Sequence, residues 1–221
     1  MLTKKQLARM TDHTNLKPFA TSEDIKKLCS EAKKYDFAAV CVNPCWVSLA
    51  SELLLGTDVK VCAVVGFPLG ASTLETKLFE AKDAARNGAQ EIDMVMNIGA
   101  LKEKNYELVK KEIAKIVEEV GKVPIKVIIE CCYLTEEEKI KACELAKEAG
   151  ARFVKTSTGF GVSGATPEDV ALMRRVVGEN VGVKAAGGIK SAEQALALIQ
   201  AGANRIGASA SVEIIEGLKE G

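Results

Sequence analysis

Three copies of one short phrase restrict the fold of this chain more than any other feature of its sequence. Gly88-Ala89-Gln90-Glu91-Ile92-Asp93, Gly150-Ala151-Arg152-Phe153-Val154-Lys155 and Gly202-Ala203-Asn204-Arg205-Ile206-Gly207 each stand between a helical pattern and an apolar run. The glycine is suited to ending a helix in a left-handed conformation, with a strand beginning about two residues later. Successive copies lie 62 and 52 residues apart, room for two strand-helix units each time. Apolar, β-branched runs at 11–16, 38–42, 60–67, 91–96, 125–130, 152–157, 181–186 and 205–208 supply the whole series, with helical patterns between them. The phrases then mark the fourth, sixth and eighth strands. Eight parallel units predict an α/β fold: a compact, single-domain (β/α)8 TIM barrel over residues 1–221, with a short N-terminal helix before strand 1.

The helices are legible from their stripes and caps. Over Tyr106–Val120, Val109, Ile113, Ile116, Val117 and Val120 form one apolar face, and Lys110, Lys111, Glu112, Glu118 and Glu119 read as its solvated side. A second helix opens at Thr166-Pro167-Glu168-Asp169, where Thr166 caps, Pro167 fits the first turn and the acids favour the helix N-terminus. Trp46, Leu49 and Leu53 read as a packing face, and Gly66-Phe67-Pro68-Leu69-Gly70 as a shaped loop that helps to close a pocket.

Charge and cysteine content remove several classes of function. Thirty Lys+Arg balance 30 Asp+Glu, so no long-range field gathers nucleic acid or an anionic membrane surface. The start lacks the apolar stretch of a signal peptide, and no run approaches the length of a membrane span; the expectation is a soluble, cytoplasmic protein. Seven cysteines, mostly within apolar segments, suit buried thiols in a reducing compartment. A zinc site drawn from Cys41, Cys45, Cys131 and Cys132 lacks a C-x2-C pair, so neither metal nor cofactor is expected. The single His13 excludes catalysis by several histidines.

The phrase also supplies a register. Asp93, Lys155 and Gly207 each fall five residues after their glycine, and alternate strands of such a barrel contribute to one interior layer. A weaker alignment from Asp36 adds Cys41. Lys155 and Lys184 both sit near C-terminal strand ends, the rim where barrel active sites form. A pair of lysines offers one chemistry that a lone lysine does not. An amine of pKa about 10.4 is neutral roughly once in 2,500 molecules at pH 7. A second ammonium about 5 Å away supplies roughly 3 of the roughly 4 kcal/mol that would bring it near pH 7.5. One lysine then attacks a carbonyl to form a Schiff base, and Asp93 exchanges protons with the adduct. Which lysine does which stays open on these grounds.

A second signal is phosphate binding. Thr158-Gly159-Phe160-Gly161, Ala186-Gly187-Gly188 and Gly207-Ala208-Ser209 follow strands six, seven and eight, where glycine loops let backbone amides approach phosphate oxygens. Asp12 lies at the rim of strand one, and His13 fits a structural role as well as a functional one. Glu130 closes strand five and is expected to ion-pair within the barrel; Cys131-Cys132 should pack as small apolar groups.

Together, these segments resemble the deoxyribose-phosphate aldolase family. The resemblance is carried by Asp12-His13-Thr14, Val40-Cys41-Val42-Asn43-Pro44, Val65-Gly66-Phe67-Pro68-Leu69-Gly70, Glu91-Ile92-Asp93-Met94-Val95, Lys126-Val127-Ile128-Ile129-Glu130, Phe153-Val154-Lys155-Thr156-Ser157-Thr158-Gly159-Phe160, Val183-Lys184-Ala185-Ala186-Gly187-Gly188 and Ile206-Gly207-Ala208-Ser209. It implies a metal-free class I aldolase that reversibly cleaves 2-deoxy-D-ribose 5-phosphate to D-glyceraldehyde 3-phosphate and acetaldehyde, in deoxynucleoside catabolism. By motif, Lys155 is then the Schiff-base nucleophile, Lys184 the neighbouring cation, and Asp93 with Lys184 the proton relay. Gly159, Gly187, Gly188, Gly207 and Ser209 would hold the phosphate, Thr158 would meet a substrate hydroxyl, and Asp12 would support Lys184. The implied partners are small phosphosugars and aldehydes, with a homo-oligomer, dimer or tetramer, as the assembly. Asn15, Cys131, Ala210 and Val162-Ser163 depart from the commoner bacterial pattern without removing a catalytic group. A transaldolase, a lysine-free isomerase and a non-catalytic phosphosugar-binding barrel are the competing readings. The register places Cys41 near the lysines, where sensitivity to reactive aldehydes is a hypothesis that Cys41→Ala would test.

Overall fold

A computed structural model describes residues 2–219; the domain bounds expected from the sequence, 1–221, run past them at both ends. Among the described residues, eight parallel strands close into a barrel in chain order. They are β1 (Thr11–Asn15), β2 (Ala39–Val42), β3 (Lys60–Val65), β4 (Glu91–Val95), β5 (Ile125–Ile128), β6 (Phe153–Lys155), β7 (Gly182–Ala186) and β8 (Arg205–Ala208), with β8 pairing back onto β1. The helices are α1 (Lys4–Ala8), which precedes the barrel, then α2 (Ser22–Tyr35), α3 (Val47–Leu53), α4 (Leu74–Arg86), α5 (Ile98–Lys102), α6 (Tyr106–Val120), α7 (Glu136–Glu148), α8 (Pro167–Val177), α9 (Ala192–Gln200) and α10 (Ser211–Gly217). No helix of the described residues is long and apolar enough to cross a membrane.

The repeated phrase does what its sequence predicts. Gly88, Gly150 and Gly202 have φ of 104°, 87° and 116°, and β4, β6 and β8 each start three residues later. The caps follow their residues too: Thr166 Oγ1 accepts from the Asp169 amide at 3.1 Å with Pro167 in the first turn, and Thr21 and Thr135 form capping boxes on α2 and α7.

Alternation along the strands divides the molecule into two cores. Val40, Val61, Ile92, Met94, Val127, Val154, Val183 and Ile206 turn outward and join the helix faces in one continuous apolar shell, against which Trp46, Leu49 and Leu53 also pack. The interior has only a small apolar cluster, Leu16, Ala39, Cys41, Cys62 and Val64, capped by Phe67. At roughly 1.5–3 kcal/mol per fully buried aliphatic side chain, the shell carries most of the hydrophobic stabilisation. Beside Val95 and Ile128, which belong to neither cluster, the interior holds the charged side chains of Asp12, Glu91, Asp93, Lys126, Lys155 and Lys184.

Two expectations from the sequence are corrected here. Glu112 does not lie on a solvated face: it is buried, and Lys77 of α4 meets it at 2.7 Å while also donating to the Val95 carbonyl at 3.0 Å. A helical stripe cannot reveal this, because the partner comes from another helix. Strand β5 also ends at Ile128, short of Glu130, which adopts a left-handed conformation with φ of 53°.

Burial pushes the Lys77 ammonium down and the Glu112 carboxyl up, against their mutual attraction. The pair is therefore costly to break and dispensable as a unit. Glu112→Ala is expected to lose about 3–5 kcal/mol in denaturant unfolding, and Lys77→Met combined with Glu112→Leu to return within about 1 kcal/mol of the parent. A double variant as unstable as the single one would show that the ion pair itself is required.

Candidate active site

The charged interior is built by strand register. Asp93 on β4 stands beside Lys126 on β5, Lys155 on β6 pairs with Lys184 on β7, and Lys184 pairs with Arg205 on β8. Because these side chains all turn inward, they meet across the barrel. Asp93 Oδ2 accepts from Lys155 Nζ and from Lys184 Nζ, each at 2.7 Å, and Asp93 Oδ1 accepts from Lys126 Nζ at 2.8 Å. Asp12 Oδ2 takes Lys184 Nζ at 2.5 Å, and Asp12 Oδ1 takes Arg205 at 2.6 Å. Two bonds of 2.7 Å meeting at one oxygen put the Lys155 and Lys184 nitrogens at most 5.4 Å apart.

Electrostatics fixes the charge on most of this cluster. Burial pushes the Asp93 carboxyl up, but Lys126, Lys155 and Lys184 outweigh it and hold Asp93 well below the usual carboxylate range. Asp12 is held down in the same way by Lys184, Arg205 and Lys126. Burial pushes the Lys184 ammonium down, but Asp12 and Asp93 outweigh it and hold it above the ordinary lysine value. Burial pushes Lys126 down, but Asp93, Asp12 and Glu91 outweigh it and hold Lys126 well above that value. Lys184 therefore keeps its proton through the neutral range.

Above the cluster opens a cavity of about 420 Å3, at the C-terminal ends of the strands. Lys155 is the member of the buried cluster that lines it; Lys184, Asp93 and Asp12 lie beneath. Thr158, Gly159, Gly187, Gly188, Gly207 and Ser209 line the same cavity, so the glycine loops and the lysine face one space. Gly159, Gly187 and Gly188 have φ of 87°, 91° and 75°, a backbone course that glycine follows without strain. Gly207 has a further use. A Cβ there would lie 3.0 Å from Lys184 Cε and 3.7 Å from its Nζ, so the missing side chain gives Lys184 its path to the aspartates.

Several residues differ from their sequence-based reading. Glu130 makes no ion pair among the described residues; its carboxylate accepts from the Thr158 amide at 3.2 Å and from the Thr158 hydroxyl, clamping the loop after β6. The departure of the chain from β5 before Glu130 is what turns it toward that loop. His13 bonds Glu31 at 2.8 Å through Nε2, and burial lowers its pKa. Cys131 is buried near Met173, as a small apolar group would be, and Cys132 is half-buried. Phe67 meets Phe160 edge-on at 5.4 Å, so the loop after β3 does reach the loop that borders the cavity.

The sequence reading passed over Lys126, Glu91 and Arg205. The signal for two of them was present. Glu91, Phe153 and Arg205 fall three residues after the phrase glycines, one layer below Asp93, Lys155 and Gly207, and the Arg205 guanidinium does lie 5.7 Å from the Phe153 ring centre. Lys126 lies on β5, which carries no copy of the phrase. Cys41 is where its register puts it: its sulfur, that of Cys62 and an Asp93 oxygen lie within 4.8 Å of one another, and a hydrogen bond with Cys62 eases the Cys41 thiol downward against burial. These atoms, and those of Asp12 and Glu91, form two groups of metal-ligand type. The Lys126 ammonium already sits among them, 2.6 Å from Glu91, 2.8 Å from Asp93 and 3.3 Å from Cys62, so a cation would have to displace a positive charge.

Comparison with known proteins gives a consistent picture. The model of the DeoC/LacD family aldolases matches residues 7–218. A deoxyribose-phosphate aldolase of Caldanaerobacter subterraneus subsp. tengcongensis is 64% identical over 217 residues, 97% of this chain and 94% of that protein. One from Thermococcus kodakarensis is 63% identical over 220 residues, 98% of each. Among solved structures, a tetrameric deoxyribose phosphate aldolase from Aeropyrum pernix superposes with a TM-score of 0.91 at 35% identity, covering 97% of this chain and 91% of that one.

The clearance at Gly207 can be tested directly. Gly207→Ala should leave the barrel folded, judged by circular dichroism and an unchanged cooperative melt. Turnover should fall by up to about tenfold, because a Cβ at 3.0 Å makes Lys184 give by a few tenths of an ångström, less than the 1 Å that costs about a hundredfold. Unchanged turnover would mean that Lys184 tolerates the methyl group.

Proposed function

The chain belongs to the DeoC/LacD aldolase family, and from that premise we propose that it reversibly cleaves 2-deoxy-D-ribose 5-phosphate to D-glyceraldehyde 3-phosphate and acetaldehyde through a Schiff base on Lys155. It is an aldolase, and so a lyase. The observation that carries the finer reading is the position of one amine at the cavity wall. Of the two lysines that share Asp93 Oδ2, Lys155 borders the cavity and Lys184 does not.

In the cleavage direction, unprotonated Lys155 Nζ adds to the C1 aldehyde of the open-chain sugar, and loss of water leaves an iminium ion. The C3 hydroxyl then gives up its proton and the C2–C3 bond breaks. Its electron pair passes into the iminium to give an enamine, and C3 leaves as the aldehyde carbon of D-glyceraldehyde 3-phosphate. Protonation of the enamine at C2 and hydrolysis of the resulting iminium release acetaldehyde and restore the amine. Each step moves a proton near Lys155. Asp93 and Lys184 are suited to relay it, since the carboxylate bonds both amines and Lys184 is held charged by Asp12 and Asp93.

The cavity walls support the phosphosugar. Backbone around Gly159, Gly187, Gly188 and Gly207, with the exposed Ser209, provides amides and a hydroxyl for the phosphate. The Thr158 hydroxyl donates to Glu130 and accepts from the Phe160 amide at 3.0 Å. That leaves one lone pair, so Thr158 meets a substrate hydroxyl only as an acceptor. Free thiols at all seven cysteines support a reducing, cytoplasmic setting, and the tetrameric relative supports a homo-oligomer.

Borohydride added with acetaldehyde should alkylate Lys155 irreversibly and abolish activity, with the reduced two-carbon adduct located by peptide mass mapping. An unmodified Lys155 in protein inactivated under these conditions would remove the assignment. Lys184→Met should still release acetaldehyde from deoxyribose 5-phosphate, about 10²–10⁴-fold more slowly, whereas Lys155→Ala should not turn over.

A further inference from the structure

Two cations of the barrel interior, Lys126 and Arg205, do not border the cavity, and what joins them is Glu91. One carboxylate oxygen of Glu91 lies 2.6 Å from Lys126 Nζ and 3.3 Å from an Arg205 nitrogen, and the other lies 3.4 Å from the second Arg205 nitrogen. Each of these cations also takes the rear oxygen of a different aspartate: Lys126 holds Asp93 Oδ1 at 2.8 Å, and Arg205 holds Asp12 Oδ1 at 2.6 Å. The front oxygens are thereby left to Lys184 and, at Asp93, to Lys155. Among the described residues, no hydrogen bond or ion pair joins Glu91 to Lys155 or Lys184.

The groups that face Glu91 come from four other strands and its own: Asp12 on β1, Cys62 on β3, Asp93 on β4, Lys126 on β5 and Arg205 on β8. With the Cys62 and Cys41 thiols protonated, three carboxylates share the interior with Lys126, Lys155, Lys184 and Arg205. Four cations against three carboxylates leave the interior one positive charge in excess, and Lys155 is the cation that opens onto the cavity.

We propose that Glu91 is a positioning residue for the aldol chemistry: it seats Lys126 and Arg205 behind Asp93 and Asp12, and its charge sets how many protons the interior keeps. The proposal rests on Lys155 being the Schiff-base nucleophile. Burial opposes charge on both supporting cations, and Glu91 is among the groups that hold them charged.

The sign of the effect follows from the charge removed. Without the negative charge of Glu91 the interior gives up a proton more readily, so the acidic limb of the kcat/KM profile moves to lower pH. Without the positive charge of Arg205 it moves to higher pH. The test measures that limb for acetaldehyde release from 2-deoxyribose 5-phosphate, with borohydride trapping run in parallel. Glu91→Gln should shift the limb down and Arg205→Gln should shift it up, each on the order of one pH unit for one buried charge, and the double variant should lie near the parent. Glu91→Asp keeps the charge but shortens the reach, so its limb should stay in place while kcat falls about tenfold.

Limbs that coincide with the parent, or that move in one direction for both charge removals, would overturn the proposal. If Glu91→Gln does not fold, Arg205→Gln and Glu91→Asp decide alone: an upward shift in the first with none in the second supports it, and any other pattern overturns it. Trapping at Lys155 with unmoved limbs counts against Glu91 only. A parent enzyme that does not trap at Lys155 counts against the Schiff-base reading beneath it.

Discussion

Asp93 is buried at the centre of the barrel, and its two oxygens receive hydrogen bonds from three lysines on three neighbouring strands. Each ion taken out of water costs several kcal/mol even after relaxation, and only close, well-aligned partners offset that cost. A cluster of this kind therefore cannot tolerate loose geometry. Its members have to be fixed by backbone that does not move, and a closed ring of strands with no free edge provides such backbone. The barrel is thus more than a support for the loops. It makes the charge arrangement physically affordable.

The same cluster determines where stability must come from. An interior occupied by ions has little room for apolar packing, and its apolar cluster is small. The outer shell compensates: outward residues of the strands and inward faces of the helices form one continuous core around the ring. This division relies on strict alternation. In β4, Ile92 and Met94 belong to the shell while Glu91 and Asp93 belong to the interior; a register slip of one residue would exchange the two sets and put carboxylates against the helices. The glycines that end the preceding helices help to set that register, since each fixes the start of its strand.

How much of this was readable in the sequence depended on where the repeated phrase reached. It marked β4, β6 and β8, and there the inward positions of Asp93 and Lys155 follow from the sequence alone. Strand β5 has no copy, and a lone Lys126 between Ile125 and Val127 gives no indication of which way it faces until β4 lies beside it. Glu91 and Arg205 were within reach of the register but lie at strand starts, where the usual assignment is to stability and not to chemistry. Glu130 was misread because its role depends on a left-handed turn after β5 that no propensity signals. Glu112 was misread because its partner, Lys77, lies 35 residues away on another helix. In each case the missing information was the identity of a neighbour, not a property of the residue itself.

Two buried lysines show why position, more than burial, separates structure from chemistry. Lys77 is as deeply enclosed as Lys184, and burial pushes it toward losing its proton. Yet its nitrogen is committed to Glu112 and to a carbonyl of β4, and it does not line the cavity that Lys155 borders. Lys155 shares its acceptor with a second lysine and meets open space on its other side. The carboxylate it shares also holds Lys184 and Lys126, so three cations meet at Asp93 where Lys77 has one carboxylate to itself. A surplus of cations around a fixed set of carboxylates, open to the cavity at one point, is what separates this cluster from the closed Lys77–Glu112 pair.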